Sequence, residues 1–531
     1  MKKNDTITCE ILVTSDLHGH IQPVDYRTRE VHHQGLAQIA TLIHRERLHT
    51  PELLLIDNGD LIQGTPLAYY SSTQGKENRH PAISVLNELR YDAAVFGNHE
   101  FNFGMDVLGQ AVQDSNFPWL SAGITNRDTG EPAFGKPYIV KWIDQKIKVV
   151  ILGVTTHYIP HWENALHLEG LEFHDALESV KRWCADIRTS EQPDLLVVSY
   201  HGGFERDLLT GEPTERLTGE NQGYAMCMEI EGLDVLITGH QHRSITSEIN
   251  GVTVLQPGFN GQALGKITAT FTEENGKWKL RDKQAELLSV DSTIAVDERI
   301  IELTRAVEAE TQVWLDYTVG QVQGDLSIAN AAECRLADHP FIEFMNKVQM
   351  EAAGVDISTA PLLRNECRGF DQTITRRDIL ANFIYPNTLT VLRLKGSDIR
   401  QALEQTANYF QLDENGQLEI NPTYIEPKPQ HYNYDMWEGI EYILDIARPV
   451  GERVTLLNYH GKPLDNDGEY DIVMNNYRAV GGGDYEMYLG KPVIKEILID
   501  ISEIVTHYIE QKGHIEATCD GNWRVIVGTG E

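Results

Sequence analysis

Apolar positions in the first half of the chain fall into short unbroken runs, each ending in a polar turn. Leu53-Leu54-Leu55-Ile56 runs straight into Asp57-Asn58-Gly59-Asp60. A continuous apolar run suits a strand covered on both faces, and an Asn-Gly step favours a tight turn. The pattern recurs. Ile11-Leu12-Val13 precedes Asp16 and His18, and Ala93-Ala94-Val95-Phe96 precedes Asn98, His99 and Glu100. Leu195-Leu196-Val197-Val198 leads into His201, and Val235-Leu236-Ile237 into His240 and His242. In a layered α/β protein ligands collect beyond the carboxyl ends of the strands, so these ends can converge on one site.

From residue 7 to about 290 the order is strand, polar loop, helix. Gly35 opens an amphipathic helix that runs past Ile43, and strands are expected near 53–56, 93–96, 147–154, 195–200, 234–238 and 252–256. The strand at 148–154 ends without a ligand, as the second layer of a sandwich would begin. A helical period takes over from Asp297 to about Tyr317, through Ile300, Ile301, Leu303, Val307, Val313, Trp314 and Leu315. It reads either as a connecting helix or as one more packed helix of the first domain. Beyond about 320 the chain turns rich in Tyr and Asn and mixes helices (341–353, 397–408) with short strands (391–394, 454–457, 470–474). The expected division is 1–295, a connecting helix over 296–318, and a second domain over 319–531. In Asn475-Asn476-Tyr477-Arg478-Ala479-Val480-Gly481-Gly482-Gly483-Asp484-Tyr485 a glycine run between aromatics permits close backbone approach to a flat ligand. A plain surface turn is the alternative.

Length and composition narrow the class. A chain of 531 residues is too long for one ordinary core, which agrees with two domains. With 41% hydrophobic and 23% charged residues it is globular. Acids exceed bases by 79 to 45, and a formal charge of −34 repels nucleic-acid polymers and anionic membranes. A small phosphate ligand remains possible where metal ions reverse the local sign. The six cysteines are scattered, with no CxxC pair, which argues against a disulfide framework or a zinc knuckle. The start, Met1 to Thr6, lacks an apolar stretch, and no run of about 18 apolar residues occurs, so the chain reads as soluble and cytoplasmic. An exported protein whose leader had been removed would read the same.

Asp16, His18, Asp60, Asn98, His201, His240 and His242 make a set of N and O ligands with no thiolate. Such a set suits two divalent ions, Mn²⁺, Zn²⁺ or Fe²⁺, rather than a structural zinc site. A carboxylate at the tip of a buried strand is well placed to bridge them, and Asp60 is the expected bridge. Asp16, His18 and His242 would complete one ion, and Asn98, His201 and His240 the other. Asp57 and Glu100 are then candidates for orienting the ligands. His99, next to Asn98, can face the substrate and donate a proton to a leaving oxygen. A lone histidine is more often a packing residue; it is the repetition that makes the case.

Asp16-Leu17-His18, Gly59-Asp60, Gly97-Asn98-His99-Glu100, His201 and Gly239-His240-Gln241-His242 together resemble the five signature blocks of the calcineurin-like metallophosphoesterases, over about 8–265. Thr375–Asp378, Asn387-Thr388-Leu389, Lys395-Gly396, Leu403-Glu404 and the 476–485 block resemble the C-terminal domain of the bacterial 5′-nucleotidase family. The resemblance implies an α/β fold. A four-layer α-β-β-α sandwich carries two metal ions, followed by an α+β domain that binds the substrate's base. It also implies rotation of one domain against the other, with the helix near 297–317 as the hinge region.

In that family the residue after Asn-His-Glu-Phe is usually Asp, partnering the catalytic histidine; here it is Asn102. An amide can hydrogen-bond His99 but brings no charge of its own. With Tyr432-Asn433-Tyr434-Asp435-Met436, this resembles the 2′,3′-cyclic-nucleotide 2′-phosphodiesterase/3′-nucleotidase branch. The resemblance casts Tyr434 and Tyr477 as the aromatics on either side of the base. Arg364, Arg368 and Asp484 are candidates for phosphate or ribose, with ordinary surface roles as the alternative. The expected activity is hydrolysis of a small nucleotide phosphoester, not of a nucleic-acid polymer. The alternatives are a 5′-nucleotidase or a nucleotide-sugar or diester hydrolase of the same fold, and a binding protein with a disused site.

Overall fold

The apolar runs become the central strands of two six-stranded sheets in the computed structural model, which describes residues 6–75, 79–215, 217–385, 387–426 and 428–528. The first five residues, read above for the lack of a leader, lie outside the described residues. One sheet runs in the order Lys277–Ser289, Ala263–Glu274, Thr6–Thr14, Leu54–Asp57, Ala93–Val95, Trp119–Leu120. The other runs Ser244–Ile249, Val252–Pro257, Val235–Ile237, Leu195–His201, Ile147–Thr155, Tyr138–Ile143. The two inner faces share one core, in which Ile11, Val13, Ile56 and Val95 meet Val149, Ile151, Val197 and Ile237. The outer face of the second sheet is covered by helices Ala176–Ser190 and Gly223–Glu229. Helices Leu36–His49 and Pro81–Leu89 belong to the first. The four-layer α/β sandwich follows from strands apolar on both faces, which must be covered twice.

Register then decides where the chemistry falls. Thr14 pairs with Asp57 and Asp57 with Ala94 in parallel strands, so the turns after all three leave the sheet at one level. In the second sheet Ile237 pairs with Ser199 and Thr155 with His201, again in parallel. The carboxyl ends of both sheets therefore open at a common edge.

The chain divides into two compact units, Met1–Thr311 and Gln312–Glu531, and the division falls within helix Glu298–Leu315. The second unit has a mixed five-stranded sheet in the order Asp435–Glu438, Ile357–Pro361, Glu469–Asn475, Leu389–Lys395, Val493–Ile497. Helices Pro340–Ala353 and Gly396–Ala407 pack on it, and a smaller sheet ends in Trp523–Ile526. Helix Pro340–Ala353 opens with a proline, whose missing N–H costs nothing in a first turn, and stops at Gly354 in left-handed backbone. Among the described residues no helix is long and apolar enough to cross a membrane.

Candidate metal centre

The turns after the strands are bent into backbone that most residues avoid. Asp16, His18, Asp60, His240 and His242 all have positive φ, between 48° and 65°. Each such non-glycine residue costs on the order of 1–2 kcal/mol, which the surrounding packing must offset. Glu100 does part of that work. Its buried carboxylate accepts the backbone N–H groups of Asp60 (2.9 Å), Leu61 (2.6 Å) and Gly97 (2.6 Å). Gly97 is required there, because a β-carbon would collide with Asp60 Oδ1 and its backbone nitrogen. Asp57 accepts Thr14 Oγ1 (2.7 Å) and the Gly59 N–H (3.1 Å), closing the Asn-Gly turn.

The seven residues expected as ligands come together at this edge in two groups. Asp16, His18 and His242 form one; Asp60, His201 and His240 form the other, with ligand atoms within 4.8 Å of one another in each. Asp60 Oδ2 lies 3.2 Å from His201 Nε2 and 4.0 Å from His18 Nε2, so it reaches both groups. Asn98 Oδ1 joins the second, 2.8 Å from His240 Nδ1 and 3.3 Å from His201 Nε2.

Outer hydrogen bonds fix which ring nitrogens face inward. His201 Nδ1–H donates to the Asn58 carbonyl at 2.7 Å, and His18 Nδ1–H to the Gln63 carbonyl at 3.2 Å. His240 Nε2–H donates to Glu220 at 2.9 Å. The inward nitrogens then meet one another and the ligand oxygens. His18 Nε2 is 3.0 Å from His242 Nε2, His201 Nε2 faces Asp60, and His240 Nδ1 faces Asn98 Oδ1. An N/O set with ordered outer partners is what divalent ions take. The donor set fits two such ions.

Titration points the same way. Burial pushes His18 down to about 3, against the pull of Asp60, so this ring offers its lone pair at any ordinary pH. His201 is held up to about 10: burial opposes its charge, but Asp60, Asp16 and Glu100 outweigh it. A metal entering the second group must displace that proton.

His99 stands beside the two groups. Its backbone N–H donates to Asp60 Oδ1 (2.8 Å), and its ring lies 5.4 Å from that of His18. Nδ1–H donates to Asn102 Oδ1 at 2.7 Å, while Asn102 Nδ2 donates to Glu163 Oε2 at 2.6 Å. The amide is thus a relay, and the carboxylate expected at 102 is supplied one residue further out. Glu163 lies 61 positions away in sequence, inside no recognisable block, so nothing in the sequence signalled it. Glu220 was missed for the same reason, as was Trp162, whose ring stacks on His240 at 5.4 Å; Asn58 lies in the quoted turn, but the role of its carbonyl shows only once His201 packs against it.

In the second unit the structure corrects one expected aromatic. Tyr434 is fully buried, packs on Tyr409 and Phe410, and donates its hydroxyl to the Arg335 carbonyl at 2.7 Å. A ring enclosed on both faces cannot take a base. The ring beside Tyr477 is Tyr432, edge-on at 6.2 Å, with Tyr385 a further 6.4 Å on. Both are only half-buried. Both tyrosines of Tyr432-Asn433-Tyr434 precede strand Asp435–Glu438, in and at the end of a short turn, and sequence could not say which turned inward. Arg478, also missed, is fully buried and ties the two segments together. It binds Asp435 (2.8 and 3.0 Å), the Tyr432 carbonyl (2.9 Å) and the Gly482 carbonyl. Arg364 donates to the Ala381 carbonyl (2.9 Å), Arg368 is exposed, and Asp484 is exposed in left-handed backbone (φ 65°).

Comparison with known proteins agrees with this anatomy. Residues 10–244 match the calcineurin-like phosphoesterase model and residues 318–490 the 5′-nucleotidase C-terminal domain model. A Staphylococcus aureus protein provisionally assigned as a 5′-nucleotidase, solved with α-ketoglutarate, superposes with a TM-score of 0.90 at 34% identity, covering 98% of this chain and 100% of that one. The 2′,3′-cyclic-nucleotide 2′-phosphodiesterase/3′-nucleotidase of Salmonella typhimurium is 26% identical over 98% of this chain and 89% of its own length. The trifunctional nucleotide phosphoesterase YfkN of Bacillus subtilis is 27% identical over 98% of this chain, which spans only 39% of that longer protein.

Proposed function

This chain belongs to the 5′-nucleotidase family of calcineurin-like phosphoesterases and is a phosphoester hydrolase; on that premise, we propose that it opens 2′,3′-cyclic nucleotides and then removes the 3′-phosphate. The observation that carries the reading is the convergence of histidines with fixed inward nitrogens around Asp60, with His99 alongside. Asn102 and the names of the full-length relatives from Salmonella, Yersinia and Haemophilus favour cyclic and 3′ esters over 5′ esters. Relatives named UshA and 5′-nucleotidase keep the 5′ reading as the rival.

Asp16, His18 and His242 would hold one divalent ion and Asn98, His201 and His240 the other, with Asp60 between them. When bound, the ions supply Lewis-acid charge to the phosphoryl group and acidify water. The rest falls to side chains. Glu100 keeps Asp60 and Gly97 from relaxing out of the strained turn. His99 holds one proton at Nδ1 against Asn102, so the proton it gives to the departing ribose oxygen sits on Nε2. Glu163 holds the Asn102 amide, and through it the orientation of the His99 ring. The base is taken by Tyr477 and Tyr432, each face contributing about 1–3 kcal/mol without regard to base identity. Arg368 and Asp484 offer the phosphate and ribose contacts.

Phosphate release from 2′,3′-cyclic AMP, 3′-AMP and 5′-AMP, with Mn²⁺ or Zn²⁺ and again after chelation, tests the reading. Preference for the first two, lost on chelation, is expected. Preference for 5′-AMP would overturn the assignment of substrate while leaving the metal centre intact, and turnover undiminished by chelation would overturn the centre.

A further inference from the structure

A second convergence of carboxylates lies in the Gln312–Glu531 unit. Oxygens of Glu343, Glu438 and Asp520 lie within 4.8 Å of one another, and Asp338 and the Cys519 thiol lie equally close to Glu343. They come from three places in the chain. Asp338 precedes helix Pro340–Ala353 and Glu343 sits in its first turn; Glu438 ends strand Asp435–Glu438, and Asp520 belongs to the turn before strand Trp523–Ile526. A surface group of acids would mean little, but Glu343 is 1% exposed and Glu438 3%.

Their donors do not suffice. Glu343 is satisfied by Lys347, by the Thr518 hydroxyl and by the Asp520 N–H (2.8 Å). Asp338 Oδ2 accepts the Gly521 N–H (2.9 Å) and the Cys519 thiol (3.1 Å), and Glu438 Oε2 accepts Asn522 Nδ2 (2.9 Å). Glu438 Oε1, Asp338 Oδ1 and Asn522 Oδ1 are buried acceptors with no donor. Lys347 is the one cation paired with any of these carboxylates among the described residues. A buried carboxylate oxygen without a partner costs about 1–3 kcal/mol or more, so three orphan acceptors in one place call for a positive charge.

We propose that Asp338, Glu343, Glu438 and Asp520, with the amide oxygen of Asn522, form a binding site for one hard divalent cation, Ca²⁺ by preference. All the ligands are oxygens, the set that selects Ca²⁺, Mg²⁺ or Mn²⁺ over Zn²⁺. Irregular spacing over three chain segments suits the loose six- to eightfold coordination of Ca²⁺ better than the strict octahedron of Mg²⁺. The Cys519 thiol is engaged as a donor to Asp338 Oδ2 at 3.1 Å. Asp520 and Asn522 also line a cleft with Asp356, Glu441, His460 and Arg524, which gives an ion a way in. The cation would pin the 518–522 turn to the helix and to strand Asp435–Glu438. It would thereby hold strand Trp523–Ile526 against its partner Glu441–Asp445.

The test uses the full chain carrying Asp60→Asn, which disables the histidine centre as a competing Ca²⁺ site, after EDTA treatment and dialysis. Ca²⁺ calorimetry and Tb³⁺ luminescence, excited through Trp437 and Trp523, should report one ion with Kd of about 10⁻⁴–10⁻³ M. Adding Asp520→Asn, in an exposed turn, or Glu438→Gln should weaken binding at least tenfold. At saturating Ca²⁺ the unfolding temperature of the Asp60→Asn chain should rise by about 2–4 °C, and that rise should vanish with Asp520→Asn. Absence of Ca²⁺ and Tb³⁺ binding in the Asp60→Asn chain, or binding that Asp520→Asn leaves unchanged, would overturn the site. If Glu438→Gln does not fold, Asp520→Asn alone decides.

Discussion

The histidine centre of the first unit and the carboxylate cluster of the second solve the same problem by opposite means. At the first, each ligand follows a buried strand, and parallel register carries the turns to one edge. Strained backbone then turns five of the seven side chains inward, and carbonyls and carboxylates fix the histidine tautomers. At the second, no strand end repeats and no motif exists; a helix start, a strand end and a distant turn happen to meet. The first is a site built into a topology, and its parts are close to interchangeable in logic. The second is built by packing alone, so its ligands double as the unit's structural fasteners. Disabling the first should cost activity without stability, whereas perturbing the second unit's buried charges should cost stability first.

The sharpest way to break that contrast is Asp60→Asn. Loss of the group that reaches both sets should reduce kcat by about 10³-fold or more and lower bound Mn²⁺ or Zn²⁺ measured by elemental analysis. Urea unfolding should change little. A normal metal content would sink the role given to Asp60.

Asp435→Ala tests the other half. It leaves Arg478 buried without its carboxylate and should destabilise the second unit by about 3–5 kcal/mol in denaturant melts. Metal content of the first unit should be unaffected. Because Arg478 also holds the Tyr432 and Gly482 carbonyls, nucleotide KM should rise in whatever fraction still folds.

A finer cut is Glu163→Gln, which keeps the hydrogen bond to Asn102 but removes the charge behind it. Here kcat should fall by about tenfold at constant KM, a modest part of what general acid catalysis is worth. An unchanged kcat would show that His99 needs only the amide.

Last, not every histidine of the first unit belongs to the centre. His80 caps helix Pro81–Leu89 through Nδ1, and burial pushes it down to about 4. Its folded pKa lies below the ordinary value near 6.5, so the stability it permits is whole above pH 6.5. That stability is lost as pH falls from about 6.5 towards 4, by at most about 1.4 kcal/mol per pH unit. His80→Asn, which preserves a capping oxygen, should flatten this slope; a slope equally steep in both chains would assign it to other groups.

Much of the first unit is legible in the amino-acid sequence alone. Apolar runs long enough to be covered twice dictate parallel strands in layers, and the same residue types after each run announce a shared edge. The helices at 341–353 and 397–408 are legible as well, from their period and their Pro and Gly boundaries. Resemblance to known blocks adds the substrate class, and it misplaces one residue, Tyr434.

What the sequence determined by itself is therefore the set of elements and the identity of the repeated ligands, because both are local patterns repeated along the chain. Only the tertiary structure decided which ring nitrogen each histidine turns inward, that Glu163 stands behind Asn102, and that Tyr432 rather than Tyr434 is left at the surface. It alone brought Glu343 together with Asp338 on one side and with Glu438 and Asp520 on the other. Those facts depend on contacts between residues tens to hundreds of positions apart, and such contacts leave no period and no spacing to read. They are set by how finished elements pack, after local preference has done all it can.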